Sequence, residues 1–107
     1  MSLTTSSVDV LTIIARSLVV SQEYSSVEEA LQAMAISEVR RKIAYYRRRI
    51  RALERKYGTD FETFSMRLQG RATPAEEDDW LAWRSAKRML ADWQKTLEEL
   101  QHARAGA

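Results

Sequence analysis

At 107 residues the chain carries enough material for one hydrophobic core. Its composition, 45% apolar and 30% charged with three Gly and one Pro, excludes intrinsic disorder and is too poor in turn-formers for a many-stranded β fold. The lack of Cys excludes a disulfide scaffold and thiolate metal sites, and one His argues against a histidine-built catalytic or zinc centre. The expectation is therefore a single all-α domain over residues 1–107, with flexible ends at 1–7 and 103–107.

The first element, Val8 to Val20, is ambiguous. Its β-branched content favours a strand, whereas Val8, Leu11, Ala15, Leu18 and Val19 share a helical face. A lone strand would have no partner in this chain, which tips the reading toward a short helix. Asp9 and Arg16 interrupt the apolar run, Met1 to Ser7 holds no Lys or Arg, and the segment is too short to span a bilayer. A cytoplasmic protein away from membranes is the corresponding expectation.

Ser26-Val27-Glu28-Glu29 reads as a capping box, in which a hydroxyl and a carboxylate satisfy amides orphaned at a helix start. Good helix formers then run to Tyr57, and Gly58 follows as a C-terminal cap, giving a long helix over about 27–57. Thr59-Asp60-Phe61-Glu62 repeats the capping pattern, and Phe61, Phe64 and Leu68 mark a short middle helix before Gly70. Thr73-Pro74-Ala75-Glu76 combines an N-cap, a first-position proline and a capping Glu, opening a second long helix over about 74–102.

Both long helices carry a heptad. Ile36, Ile43, Ile50 and Tyr57 alternate with Val39, Tyr46 and Leu53; Trp83, Leu90 and Leu97 alternate with Ala86, Trp93 and Leu100. These seams predict coiled-coil-like packing in an antiparallel long-helix hairpin, with Leu31, Met34, Phe61, Phe64, Met66 and Leu68 closing its ends. Core packing explains all of them. Trp80 lies outside the strict seam, beside Leu81, and is either core or an exposed aromatic anchor.

The charge is concentrated in one place. From Glu38 to Tyr57 there are nine basic residues against two acidic, a net of +7, which leaves −5 for the rest of a chain of net +2. The pattern repeats by sevens as Val39-Arg40-Arg41-Lys42-Ile43, Tyr46-Arg47-Arg48-Arg49-Ile50 and Leu53-Glu54-Arg55-Lys56-Tyr57. Such a block is often only a solvated face. If it served the hairpin, the flanks of the last helix would be acidic, yet they hold Lys87, Met89, Gln94, Thr96 and Gln101. The acidic run Glu76 to Asp79 reaches Arg55 or Lys56 at most, and the helix dipole already accounts for it.

Candidate partner-binding residues are therefore Arg40, Arg41, Arg47, Arg48, Arg49, Arg51, Arg55, Lys56, Tyr45 and Trp80. An acidic protein surface would meet them through Arg–carboxylate pairing, and nucleic acid would meet them through phosphate with Tyr45, Tyr46 or Tyr57 stacking on a base. Catalysis is not expected. Glu99-Leu100-Gln101-His102 matches a di-iron spacing, but that chemistry needs two such pairs and the chain has one His. No cofactor or metal is implied.

Tyr24-Ser25-Ser26-Val27-Glu28-Glu29-Ala30-Leu31, following the short apolar element, resembles the second half of ribbon-helix-helix antitoxins of bacterial toxin–antitoxin pairs. Their second helix commonly opens with a Tyr, a capping Ser and a Glu-Ala-Leu run. The resemblance covers residues 8–36. It implies a small bacterial accessory protein, the antidote member of a two-protein module that neutralises a cognate toxin. Seam residues left exposed on a lone hairpin also predict self-association, with a homodimer through the isoleucines of the first long helix as an alternative to a hetero-complex. Gln22 and Glu23 stand where that family often has Gly and a basic residue, and residues 1–7 lack the cations of its DNA-reading strand.

Overall fold

In the computed structural model, which describes residues 7–105, the chain forms four helices: α1 (Ser7–Val20), α2 (Val27–Tyr57), α3 (Phe61–Leu68) and α4 (Pro74–Ala105). No strand occurs among the described residues. The ambiguous first segment is thus a helix. Ala15 is buried, with Thr12, Leu18 and Val19 half-buried on the same side. The chain turns out of α1 through paired hydrogen bonds, Gln22 N–H to Val19 O at 2.9 Å and Glu23 N–H to Leu18 O at 3.0 Å. This is the glycine-type helix stop, yet Gln22 takes the left-handed conformation at φ 66°.

Caps set the other boundaries. Ser26 Oγ accepts the Glu29 amide at 3.1 Å, while the Glu29 carboxylate is taken by the Ser25 hydroxyl rather than turning back onto Ser26. At the far end of α2, Gly58 sits at φ 66° and its amide donates to Glu54 O at 2.7 Å. The α3 cap differs from the expected box. Helix begins at Phe61, so Asp60 rather than Thr59 is the N-cap, its carboxylate accepting the Thr63 amide at 2.7 Å. A carboxylate there also meets the positive end of the helix dipole. For α4 both halves of the box close, Glu76 N–H to Thr73 Oγ1 at 3.2 Å and Thr73 N–H to Glu76 Oε1 at 3.0 Å.

Contacts divide the chain into two compact units. Among the described residues the first contains 7–38 and 99–105, where Ala15, Ala30 and Ile36 are buried and Gln32 Nε2 donates to Leu100 O at 3.4 Å. The second contains residues 39–98 and buries Val39, Ile43, Phe64, Trp83 and Ala86. Helices α2 and α4 pack against each other, and every residue of the two predicted seams is buried or half-buried.

Aromatic rings organise the second unit. Trp83, 1% exposed, has ring centroids of Phe64 at 5.4 Å, Phe61 at 5.6 Å and Tyr57 at 6.3 Å around it. Met66 does not join them and is exposed. Phe61, Phe64 and Leu68 share one face of α3, and Met66 falls on the opposite one. Ser7 and residues 103–105 are helical, and the rest of the ends expected to be flexible, 1–6 and 106–107, lies outside the described residues. Among the described residues no helix is long and apolar enough to cross a membrane.

Candidate functional site: the basic face of α2

A helix advances about 100° per residue, so the seam residues Val39, Ile43, Tyr46, Ile50, Leu53 and Tyr57 gather on the side of α2 that packs on α4. The remaining arc, about 220° wide, carries Arg40, Arg41, Lys42, Arg47, Arg48, Arg49, Arg51, Arg55 and Lys56, and every one is exposed. From Arg40 to Lys56 the stripe runs about 24 Å at the helical rise. Arg47, Arg51 and Arg55 follow at four-residue steps, where like charges repel.

Among the described residues, Arg40, Arg47, Arg48, Arg49, Arg51 and Arg55 have no carboxylate within ion-pair distance. Arg41 is exposed as well and already has a partner within the chain. Arg49 turns onto Tyr45: its Nη1 donates to the phenol oxygen at 3.4 Å and its guanidinium carbon lies 5.7 Å from the ring centroid. Tyr45 is 44% exposed and meets Tyr46 edge to face at 4.9 Å. The stripe thus holds one exposed aromatic ring, sitting on its surface.

Lys56 closes the stripe and is already committed. Its ammonium pairs with Asp79 Oδ2 at 2.7 Å, and the Tyr57 phenol donates to the same oxygen. The hydrogen bond to Asp79, then the carboxylate charge, raises the Lys56 pKa above its ordinary value. The bond to Asp79 followed by desolvation raises that of Tyr57. The donors from Lys56 and then Tyr57 hold Asp79 below the usual carboxylate range. Asp79, the last of the acidic run Glu76 to Asp79 and beyond the first turn of α4, therefore fastens the end of α2.

Trp80 lies elsewhere. It is half-buried, its indole N–H donates to Ser65 Oγ at 2.7 Å, its ring stacks on Phe61 at 5.7 Å, and Arg84 lies over it at 5.5 Å. Its donor and one face are occupied on α3, so the exposed ring beside the arginines is Tyr45.

Two contacts were not read from sequence. Lys87, on a flank of α4, pairs with Glu62 of α3 at 2.5 Å and lies 4.9 Å over the Phe61 ring. That hydrogen bond lowers the Glu62 pKa, and the Thr63 bonds lower that of Asp60. The Tyr45–Arg49 contact had a visible signal in its four-residue spacing; the Lys87 pair, distant in sequence, had none.

No family model, curated protein sequence or solved structure matches this chain.

Proposed function

We propose that the chain is a non-catalytic, antitoxin-like protein-binding module that neutralises a partner protein through the basic face of α2. The observation that carries this reading is the exposed set Arg40, Arg47, Arg48, Arg51 and Arg55, with no carboxylate in ion-pair reach among the described residues. The carboxylates of Asp79 and Glu62 are taken by lysines instead. Uncommitted guanidinium groups are suited to bidentate pairing with carboxylates on a partner. In this reading α2 and α4 form an antiparallel hairpin, supported within the second unit by Tyr57 stacking on Trp83 while Ile50 shares a recess with Leu90. The hairpin presents the stripe as a rod.

Nucleic acid is the second reading. It is favoured by Tyr45, whose exposed ring amid the arginines is placed to stack on a base while they hold phosphates. Tagged protein recovered from its native cells, beside an Arg47→Glu/Arg48→Glu variant, separates the two. The protein reading expects one acidic-surfaced protein in stoichiometric amount with the parent chain and none with the variant. Equal recovery by both chains contradicts it, and a gel shift of duplex DNA or RNA at micromolar protein with no co-purifying protein supports nucleic acid instead.

A further inference from the structure

The exposed arc of α2 has an order of its own. Arg41, Tyr45, Arg48, Ala52 and Arg55 follow at spacings of four, three, four and three, and all five are exposed. At about 100° per residue they fall within about 80° of one another, on the side turned away from the seam of Ile43 and Ile50. Helix α2 therefore carries two heptad lines, an apolar one packed on α4 and a basic one facing water. Lys42, Arg49 and Lys56, themselves seven residues apart and exposed, run along one edge of the outer line.

From this we infer that the outer line of α2 docks an α-helix of the partner that carries Asp or Glu every three or four residues along one face. The inference rests on the protein-binding reading above and narrows it from an acidic surface of any shape to a helical one. From Arg41 to Arg55 the line is about 21 Å long, and it drifts only about 20° per heptad on a straight helix. A second helix laid alongside repeats at the same interval of about 10.5 Å, so a carboxylate set against Arg48 brings its heptad neighbours to Arg41 and Arg55. Arg48 and Arg55 have no carboxylate within ion-pair distance among the described residues. Each is suited to bidentate pairing in the middle of such a contact, with Lys42 and Arg49 meeting charge at its flank. Between the arginines Tyr45 is large and Ala52 small, which fixes the register in which the partner's side chains fit.

Nucleic acid matches this line less well. A duplex strand winds through about 0.6 of a turn in that length, which carries its phosphates away from a nearly straight row of cations. Binders of single strands stack successive bases on several rings, whereas Tyr45 is the one exposed ring of the stripe and has Arg49 over it.

Fluorescence anisotropy with the full chain tests the inference, using two labelled helical peptides of about 21 residues built from Ala, Gln and Glu. Both carry the same number of Glu, set along one face in the first and spread around the helix in the second. At about 100 mM salt the one-face peptide is expected to bind with a micromolar constant, at least tenfold more tightly than the other. Arg48→Glu/Arg55→Glu weakens it at least tenfold. Arg40→Glu/Arg47→Glu changes the charge equally but lies to one side of the line, and weakens it less than threefold. All four positions are exposed, and unchanged helical circular dichroism verifies the fold. Equal affinity for the two peptides, or equal loss in the two variants, overturns the inference. Either result leaves the broader protein-binding reading intact, since an acidic surface of another shape would give it, and that reading has its own test in recovery from native cells. Displacement of the one-face peptide by an equimolar DNA duplex or RNA single strand of equal charge overturns the inference as well.

Discussion

Replacing Trp83 by Ala removes the ring around which Tyr57, Phe61 and Phe64 are arranged. The indole is 1% exposed. A buried aromatic of this size withdraws about 200 Å² from water, worth about 5 kcal/mol at 25 cal/mol per Å², of which alanine retains a small part. The expected loss is therefore about 4 kcal/mol, within the range for aromatic-to-alanine truncations that leave a cavity. A chain of this length is stable by about 5–15 kcal/mol in total, so this one change removes about a quarter or more of it. Urea unfolding followed by far-ultraviolet circular dichroism measures the effect as a lower midpoint at unchanged slope, and the melting temperature falls by about 15–30 °C. Trp83→Phe retains ring contacts and costs substantially less. A loss below about 1 kcal/mol for Trp83→Ala would refute the assignment of this cluster as the organising core.

Three further outcomes follow from individual contacts. Trp93 buries an indole N–H that has no hydrogen-bond partner among the described residues, so Trp93→Phe, which deletes that donor and keeps a ring, is neutral or stabilising by about 1 kcal/mol in the same urea assay; a loss above about 2 kcal/mol contradicts this. Gln22 holds a left-handed conformation that glycine adopts freely, so Gln22→Gly stabilises by about 1 kcal/mol, and a lowered urea midpoint would show that the α1 stop is wrongly described. Stability is flat between about pH 5 and about pH 9 and falls on both sides. Asp60, Glu62 and Asp79 have depressed folded-state pKa values, so their contribution is present above the unfolded values near 4 and disappears as the pH drops through the folded ones. Lys56 and Tyr57 have raised values, so theirs is complete below about pH 10 and lost as the pH rises through the folded ones. A urea midpoint that rises from about pH 5 to about pH 3 would contradict the acid limb.

Local chemistry made the helix boundaries legible. Ser26, Gly58 and the Thr73-Pro74-Glu76 run each mark a boundary because a cap involves only residues within one turn. The seams were readable for a similar reason, since a seven-residue repeat records which face must leave water. Two neighbouring residues that both cap well defeated the α3 reading: Asp60 took the role assigned to Thr59, and Glu62, shifted by one position, was left to reach Lys87. The helix-or-strand ambiguity of α1 had a different origin. β-branched residues fit either state, and the decision depends on what the rest of the chain supplies as a neighbour. For the candidate site, the basic block was plain from composition. Which cations were already used was not, because the Lys56–Asp79 pair joins residues far apart in sequence, and the placement of Trp80 against Ser65 depends likewise on the tertiary fold.

In the proposed function the arginines of α2 await an acidic protein. The most direct test is calorimetric titration of that partner, once recovered, with the parent chain and with the Arg47→Glu/Arg48→Glu variant at about 50 and about 300 mM salt. Affinity is expected to drop at least tenfold with salt for the parent and to fall much further for the variant, with identical thermal unfolding of the two free chains. Affinity indifferent to both salt and charge reversal would place the contact elsewhere on the molecule and rule out the basic face as the binding surface.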